Sequence, residues 1–255
     1  MKIALLQTEL LWENPVGNRE FIEDKVSLCD ENYDLLVLPE MFSTGFTMNP
    51  DQVAETMQGD TVRWMQKLAM SRKCAVTGSL VIQESGHYYN RMVFVFPDGT
   101  LQYYNKRHLF TLAKEHEVYT PGKEKVIVRY KDWKICLQVC YDLRFPVFAR
   151  NTENYDLLIY VASWPQPRIQ AWDILLRARA VENLSYVVGL NRVGTDGSSL
   201  EYTGHSQVVD CLGNYVIAPF EGESLKIALL DKKEMEQTRN RLNFLNDRDA
   251  FTLTI

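Results

Sequence analysis

Residues 134–146 read KICLQVCYDLRFP, an apolar run that ends in a cysteine and is followed by a tyrosine, an aspartate and an arginine. The apolar run predicts a buried strand that ends at Val139. Cys140 therefore follows the carboxyl end of a strand, where open α/β folds collect their functional loops. Cys136 lies inside the same strand and illustrates the commoner role of cysteine as a small buried apolar side chain. The pattern alone leaves open which role Cys140 has.

Two other titratable side chains also follow predicted strands. The segment YDLLVLPE, residues 33–40, predicts a strand buried on both faces, and Pro39 ends it because proline cannot donate to a ladder. Glu40 thus has the same position relative to its strand as Cys140, and Lys106 follows the predicted strand LQYYN. Taken singly, such a glutamate is often a helix cap or an ion-pair partner, and such a lysine is usually a solvated surface residue. Their shared position is what indicates a functional site.

Three amphipathic patterns predict helices between the strands. The first lies near residues 18–29, the second follows Asp60 as its N-cap, and the third spans about 169–184. The apolar side chains expected to share a face are Ile22, Val26 and Cys29 in the first helix, Val62, Met65 and Ala69 in the second, and Ile174, Leu175, Ala178 and Val181 in the third.

Tight hairpins coexist with strand–helix–strand crossovers in the predicted pattern. VIVRY and WKICLQV are joined by a short turn, and another hairpin turns at LGN, residues 212–214. The segment YDLLIYVASW at 155–164 repeats the pattern of YDLLVLPEMF at 33–42, which hints at internal symmetry. No linker-like segment rich in Pro, Gly or Ser interrupts the chain. We therefore predict one domain over residues 1–255, of the α/β class with mixed sheets.

Composition narrows the classes of function. The 255 residues are 46% hydrophobic and 24% charged, which suits a folded protein with a large core. With 28 basic and 33 acidic residues and no basic cluster interleaved with aromatics, a nucleic acid partner is not expected. No apolar run reaches the length of a bilayer span and no cleavable leader pattern is present, so we expect no membrane partner and a cytoplasmic protein. The odd number of widely spaced cysteines favours free thiols.

The residues give little support to metal or nucleotide chemistry. The four histidines show no HExxH spacing and no second cysteine pair stands at zinc-ligand spacing, so no metal site is expected. Neither GxGxxG nor GxxxxGK occurs, and we expect no cofactor. A Cys-His hydrolase stays an alternative, with His108 or His205 as the base, because such partners are adjacent in space and not in sequence.

Three blocks of the sequence resemble a known family. LPEMF at 38–42, YNKRHLF at 104–110 and VCYDLRFP at 139–146 are similar, in order and separation, to the signature blocks of the nitrilase (carbon-nitrogen hydrolase) superfamily. The resemblance covers nearly the whole chain. It implies an α-β-β-α sandwich that carries a Glu-Lys-Cys triad of Glu40, Lys106 and Cys140. It also implies a second glutamate within EHEVYTPG, for which Glu115 is the better match and Glu117 the reserve.

Other segments resemble the omega-amidase branch of that superfamily. These are VASWPQPR at 161–168 and RARAVENLSYVVGLNRVG at 177–194, together with KRHLF and CYDLRFP. The branch implies hydrolysis of the terminal amide of small 2-oxoacid amides, such as 2-oxoglutaramate and 2-oxosuccinamate, to the oxodicarboxylate and ammonia, by a homodimer. The alternatives are another branch that acts on N-carbamoyl compounds, aliphatic amides or nitriles, or a non-catalytic member that serves as a scaffold. An intact triad argues against the scaffold.

The triad suits cysteine chemistry. A carboxylate at Glu40 can take the proton of Cys140, and the charge of Lys106 favours the thiolate. Lys106 and the backbone N–H of Tyr141 can stabilise the oxyanion that forms on the substrate, and Glu40 can then activate the water that hydrolyses the thioester. Glu115 would orient Lys106 or the substrate amide.

A substrate carboxylate needs a cationic partner, and the planar fork of arginine binds it best. Arg168 is the first candidate. Arg144 lies closer to Cys140 in sequence and is expected instead to brace the site through an ion pair. Aromatic side chains that could line the pocket, or simply pack in the core, are Tyr88, Tyr89 and Trp164.

Overall fold

A computed structural model describes residues 1–253. Its strands are β1 (Lys2–Gln7), β2 (Leu35–Val37), β3 (Ala75–Glu84), β4 (His87–Val95), β5 (Leu101–Asn105), β6 (Ile127–Tyr130), β7 (Trp133–Val139), β8 (Leu157–Ala162), β9 (Tyr186–Asn191), β10 (Val193–Thr195), β11 (Glu201–Thr203), β12 (Ser206–Val209), β13 (Tyr215–Phe220) and β14 (Ser224–Leu229). Its α-helices are α1 (Pro15–Ser27), α2 (Pro50–Val53), α3 (Asp60–Arg72), α4 (Glu115–Val118), α5 (Pro146–Ala149), α6 (Ile169–Asn183) and α7 (Lys232–Leu242). Short 3₁₀ helices cover Thr111–Ala113, Cys140–Arg144, Gln166–Arg168 and Phe244–Asp247. Within residues 1–253, no helix is long and apolar enough to cross a lipid bilayer.

Most of the strands form two six-stranded mixed sheets of the same design. Their strand orders are β14-β1-β2-β3-β4-β5 and β13-β12-β9-β8-β7-β6. In each sheet three central strands run parallel, and antiparallel strands flank them on both sides. Helical crossovers join the parallel strands, and tight hairpins join four of the antiparallel pairs, β3–β4, β4–β5, β6–β7 and β12–β13. The other two antiparallel pairs are not hairpins: β1 pairs with β14 from the far end of the chain, and β9 pairs with β12 across the β10–β11 segment.

The side chains of β1 point alternately to the two faces of the first sheet and show how the layers stack. Ile3 and Leu5 join a core cluster that includes residues of the second sheet, such as Val139 and Leu157. Ala4, between them, joins a second cluster with the apolar sides of α1 and α3. Since successive strand residues point to opposite faces, the sheets pack against each other and the helices cover the outside. The predicted α-β-β-α sandwich with mixed sheets is confirmed.

The internal echo in the sequence corresponds to a structural repeat. β2 and β8 are each the middle strand of a parallel trio. Asp34 before β2 accepts a hydrogen bond from the Lys2 N–H at 2.8 Å, and Asp156 before β8 accepts one from the Lys134 N–H at 2.9 Å. A Tyr-Asp pair therefore precedes the central parallel strand of each sheet, Tyr33-Asp34 before β2 and Tyr155-Asp156 before β8.

The predicted helix starts need two corrections. The first helix is Pro15–Ser27, because Asn14 caps it through a hydrogen bond from the Gly17 N–H at 3.0 Å, and Cys29 lies beyond its end. The second helix begins at Asp60 itself, with Gly59 as N-cap. The orphan N–H of Thr61 is satisfied by the Glu55 carboxylate at 2.7 Å, so a distant side chain does the capping that Asp60 was expected to do.

The third predicted helix is confirmed, but its buried face differs from the predicted one. The side chains of α6 that pack inward are Trp172, Leu176, Arg179, Ala180 and Asn183. Ile174 is 66% exposed and Val181 43% exposed. The helix carries two apolar stripes, and periodicity alone does not indicate which one contacts the sheet.

Candidate active site

The ends of three strands bring the predicted residues together beside one cavity. Glu40 follows β2, Lys106 follows β5 and Cys140 follows β7, while Glu115 begins α4. All four are buried, and Lys106 and Cys140 line a cavity of about 340 Å³. Because β2 and β5 belong to one sheet and β7 to the other, the cavity opens where the ends of the two sheets meet.

Glu40 is held by three donors. Its Oε1 accepts hydrogen bonds from Lys106 Nζ at 2.9 Å and from Asn90 Nδ2 at 2.8 Å. Its Oε2 accepts one from the backbone N–H of Ser163 at 2.8 Å. A fully buried carboxylate costs much less free energy when donors surround it in this way. The side chain is thus fixed in one orientation beside the Cys140 thiol.

Lys106 lies between two carboxylates. Its Nζ contacts Glu115 Oε2 at 2.9 Å and Oε1 at 3.1 Å, in addition to Glu40. Burial opposes the charged ammonium, but the charges of Glu115 and Glu40 outweigh it and raise the pKa of Lys106 above its usual value. Burial also raises the pKa of Glu115, against the effect of Lys106 and together with the charge of Glu40. Lys106 is therefore a fixed, buried cation.

Cys140 lies at a strained turn between β7 and the 3₁₀ helix that follows. Its φ is +44°, a backbone conformation that residues other than glycine seldom adopt. Its Sγ lies 3.9 Å from the backbone oxygen of Ser163. Burial raises the pKa of this thiol well above its usual range, the Glu40 carboxylate adds to the effect, and Lys106 opposes it. The charge of Lys106 favours the thiolate, as the sequence predicts, but burial and the Glu40 carboxylate outweigh it, and the thiol lies next to a carboxylate base.

Asp142 fixes the turn that carries Cys140. Its buried carboxylate accepts hydrogen bonds from the Val139 N–H at 3.0 Å, the Tyr104 hydroxyl at 2.8 Å and the His108 N–H at 3.0 Å. His108 Nδ1 also lies 2.7 Å from it, with the imidazole stacked on Phe145. One carboxylate thereby ties the cysteine block of the sequence to the lysine block.

The structure does not support the Cys-His alternative. His108 pairs with Asp142, and His205 pairs with Asp173 at 2.9 Å. Among the described residues, neither histidine hydrogen-bonds to the Cys140 thiol, and no histidine lines the cavity. Glu40 is the base within reach.

Two arginines line the cavity. The Arg168 guanidinium lies 5.2 Å from the centre of the Phe110 ring, and the Arg144 guanidinium lies 4.8 Å from that of Trp164. Within residues 1–253, neither forms an ion pair with a carboxylate. The ion pair expected for Arg144 is therefore not formed within this range, and its guanidinium lies over the Trp164 indole instead.

Six aromatic side chains also line the cavity. The rings that line the cavity are those of Trp12, Phe46, Phe110, Tyr141, Trp164 and Tyr202. Tyr88 and Tyr89, which the sequence suggested as lining residues, lie elsewhere: Tyr88 bonds to Asp51 and Tyr89 packs near His87. Glu117, the reserve for Glu115, is exposed and lies 3.8 Å from Lys114.

Sequence reasoning missed several residues that contact the site. Asn90 lies in the middle of β4, where an asparagine is unusual, and this was the one available signal. Ser163 contributes only backbone atoms and Asp142 acts through distant partners, so neither leaves a local pattern. Trp12 reaches the cavity because Gly45 and Gly197 leave room against its indole.

No group of three or more His, Cys, Asp or Glu side chains in residues 1–253 is arranged to hold a metal ion.

Comparison with known proteins identifies the family. The family model for carbon-nitrogen hydrolases matches residues 2–240. The omega-amidase YafV of Escherichia coli (strain K12) is 40% identical over 255 residues, which cover 99% of this chain and 98% of the relative. The 2-oxoglutaramate amidase of Bacillus subtilis (strain 168) is 30% identical over 250 residues and 96% of each chain.

A solved structure of the same superfamily has the same fold. A CN-hydrolase superfamily protein from Xanthomonas campestris, with an arsenic adduct in its active site, is 41% identical, with a TM-score of 0.97 over 100% of this chain and 99% of that chain. The family that the three blocks predicted is confirmed: the chain belongs to the carbon-nitrogen hydrolase (nitrilase) superfamily and within it resembles the omega-amidases.

Proposed function

We propose that this protein is an omega-amidase, which hydrolyses the terminal amide of 2-oxoacid amides such as 2-oxoglutaramate and 2-oxosuccinamate through a cysteine thioester. The observation that carries the proposal is the joint presence, in one cavity, of the Cys140 thiol, the Lys106 cation and two arginines that form no ion pair with a carboxylate within residues 1–253. The thiol and the Lys106 cation suit amide hydrolysis, and the two arginines suit an anionic substrate. Relatives named omega-amidase and 2-oxoglutaramate amidase support it.

In the first half-reaction Cys140 attacks the amide carbon. Glu40 takes the thiol proton as the S–C bond forms, which explains how a thiol with a raised pKa can react at neutral pH. Negative charge develops on the amide oxygen, where Lys106 Nζ and the Tyr141 N–H stabilise it. Tyr141 is the second residue of a 3₁₀ turn, whose first N–H groups have no acceptor within the turn. Glu40 then gives its proton to the leaving nitrogen, and ammonia departs.

In the second half-reaction a water molecule hydrolyses the thioester. Glu40 removes a proton from the water as it attacks, and the proton returns to the sulfur when the C–S bond breaks. Glu115 keeps Lys106 charged and in place through both steps, as its two hydrogen bonds indicate. One carboxylate thus serves as the base twice, and the free carboxylic acid leaves.

The distal carboxylate of the substrate requires a cation, and we assign it to Arg168. Its guanidinium lines the cavity beside the Phe110 ring. Arg144 offers a second guanidinium on the same cavity and is the alternative. Each guanidinium lies beside an aromatic ring, Phe110 for Arg168 and Trp164 for Arg144, and its planar fork can form charge-assisted hydrogen bonds to a carboxylate in the cavity.

We further propose a cytoplasmic homodimer in which residues 1–255 act as a single catalytic domain. The five cysteines are all free thiols, which is typical of a reducing compartment. The exposed apolar stripe of α6, with Ile174 and Val181, lies on the outside of the sandwich together with the exposed Val147 of α5. A second copy of the chain would cover these side chains.

The proposal is tested by measuring ammonia release from 2-oxoglutaramate, an N-carbamoyl amino acid and an aliphatic nitrile. We expect the oxoacid amide to have the highest kcat/KM by at least about tenfold, since it presents a carboxamide carbon to Cys140 and an anionic group to the arginines. The N-carbamoyl compound presents a less electrophilic ureido carbon instead, and the aliphatic nitrile has no carboxylate. A higher kcat/KM for either of the other compounds would assign the protein to another branch of the superfamily.

A further inference from the structure

Asn90 links the two glutamates of the site. It lies in β4 and is only 1% exposed. Its Nδ2 donates to Glu40 Oε1 at 2.8 Å and to Glu115 Oε1 at 3.2 Å. Lys106 Nζ contacts the same two oxygens at 2.9 and 3.1 Å. The two carboxylates are therefore bridged twice, once by a cation and once by a neutral amide.

The orientation of this amide is fixed by its surroundings. The opposite orientation would place the carbonyl oxygen of Asn90 against two carboxylates, which would repel it. In the observed orientation Oδ1 has no hydrogen-bond partner among the described residues, although it is buried. A buried acceptor without a partner is unfavourable, and sites tolerate one only where something else is gained. Here the gain is the donation of Nδ2 to both glutamates.

The two carboxylates need such donors because they face each other in a buried site. Like charges at close range favour protonation of one member, as the raised pKa of Glu115 reflects: burial is its largest cause, and the charge of Glu40 contributes. The ionisable groups that face the pair are Lys106 from the end of β5, Cys140 from the end of β7 and Tyr119 after α4. Of these, only Lys106 carries a positive charge.

We propose that Asn90 is a positioning residue of this enzyme, whose amide keeps Glu40 and Glu115 side by side and both ionised, so that Glu40 remains available as the base for Cys140. This inference rests on the proposed function of Cys140 and Glu40. Asn90 touches neither the thiol nor the cavity, so its effect acts through the carboxylates. It projects from the interior of a strand, which provides a more rigid support than the turn that carries Glu40 or the single-turn helix α4 that begins at Glu115.

The test is the pH dependence of the alkylation of Cys140 by iodoacetamide, measured by mass mapping in the full-length protein. This reaction needs the base but no particular substrate. In the wild type, the rate should fall at acid pH as the carboxylates become protonated. In Asn90→Leu, which keeps the number and branching of the side-chain heavy atoms and removes the donor, this acid limb should move up by about one pH unit or more. Asn90→Asp, which places a third carboxylate there, should move it further.

Thr77→Val is the matched control. The Thr77 hydroxyl is buried in β3 and donates to the Val93 oxygen at 2.9 Å, so its loss removes one buried hydrogen bond from the same sheet without touching the glutamates. It should lower Tm and leave the acid limb unchanged. A merely structural role of Asn90 would give the same result as Thr77→Val.

Asn90→Ser, whose side chain is too short to bridge both glutamates, takes the place of Asn90→Leu if the leucine variant does not fold. An acid limb equal to that of the wild type in the folded variant overturns the assignment of Asn90. A wild-type protein that is not alkylated at Cys140 overturns the proposed nucleophile, and the Asn90 inference with it. The two failures are thus distinguishable.

Discussion

The Cys140 thiol lies beside the Glu40 carboxylate, and the surroundings of the pair decide whether the proton is on sulfur or on oxygen. Burial and the charge of Glu40 raise the pKa of Cys140, so the proton stays on sulfur. Cys136, four residues earlier, has its pKa raised to about 12 by burial, and no carboxylate is hydrogen-bonded to it. Both cysteines are therefore thiols, and only Cys140 has a base beside it.

Cys140→Ser should abolish turnover and leave the fold intact, because a hydroxyl is nearly isosteric but a far poorer nucleophile. The measurement is kcat together with Tm. Cys136→Ser is the matched control on the same strand, and it should cost about 1–2 kcal/mol of stability and little activity. Loss of activity in folded Cys136→Ser, or its retention in Cys140→Ser, would contradict the assignment.

Glu40→Gln should lower kcat by several orders of magnitude, on the order of 10³-fold or more, because it removes the base from both half-reactions. The NH2 group of the glutamine would also face at least one of the N–H donors that now bond to Glu40, since a carboxamide has only one acceptor oxygen. Steady-state kinetics are decisive. A raised KM with unchanged kcat would show that Glu40 only positions the substrate.

Arg168→Met should lower kcat/KM for 2-oxoglutaramate by an amount equivalent to about 2–5 kcal/mol, because the substrate carboxylate loses its partner. Slow hydrolysis of a small neutral amide should survive, since the triad is untouched. The quantity to measure is the ratio of the two activities. Arg144→Met is the matched comparison: if it changes the ratio and Arg168→Met does not, Arg144 binds the carboxylate.

At the scale of elements, the 3₁₀ turn Cys140–Arg144 positions the nucleophile, and Asp142 holds that turn. Strand β7 is rigid because it pairs with β6 on one side and β8 on the other. The turn that follows must support a residue at φ +44°, and the hydrogen bonds to Asp142 offset this strain.

Asp142→Asn should destabilise the protein by on the order of 3 kcal/mol and lower activity as well, because one carboxylate oxygen becomes a donor that faces other donors. Thermal unfolding and kcat check this. Asp210→Asn serves as control, since Asp210 caps the β12–β13 turn through the Leu212 and Asn214 N–H groups, which an asparagine oxygen can also accept. Equal losses in the two variants would refute a special role of Asp142.

At the scale of the whole molecule, packing of the two sheets creates the site and leaves one apolar stripe outside. Ile174→Glu should convert the proposed dimer into a monomer, because a buried, unpaired carboxylate cannot be accommodated in an apolar interface. Sedimentation velocity measures the change. Leu28→Glu, at an 81% exposed position just after α1, is the control and should leave the mass unchanged. A dimer that survives Ile174→Glu would locate the interface elsewhere.

The sequence by itself placed Glu40, Lys106 and Cys140 at the ends of predicted strands, because a buried strand is visible as an apolar run and the residue that follows it is visible as its neighbour. The α-β-β-α layers and the family followed from the resemblance of three blocks of the sequence to the carbon-nitrogen hydrolases. The same resemblance implied Glu115, which in the structure accepts hydrogen bonds from Lys106.

Only the tertiary structure decided the other features. The buried face of α6, the bridging amide of Asn90, the N–H that Ser163 donates to Glu40 and the absence of an ion pair for Arg144 within residues 1–253 all depend on partners far away in the sequence. The protonation of Cys140 also depends on distant segments, because the pKa of its thiol is raised by burial and by the Glu40 carboxylate, which follows a strand of the other sheet. Periodicity records which residues avoid water, whereas contacts between distant segments arise only when the two sheets pack together.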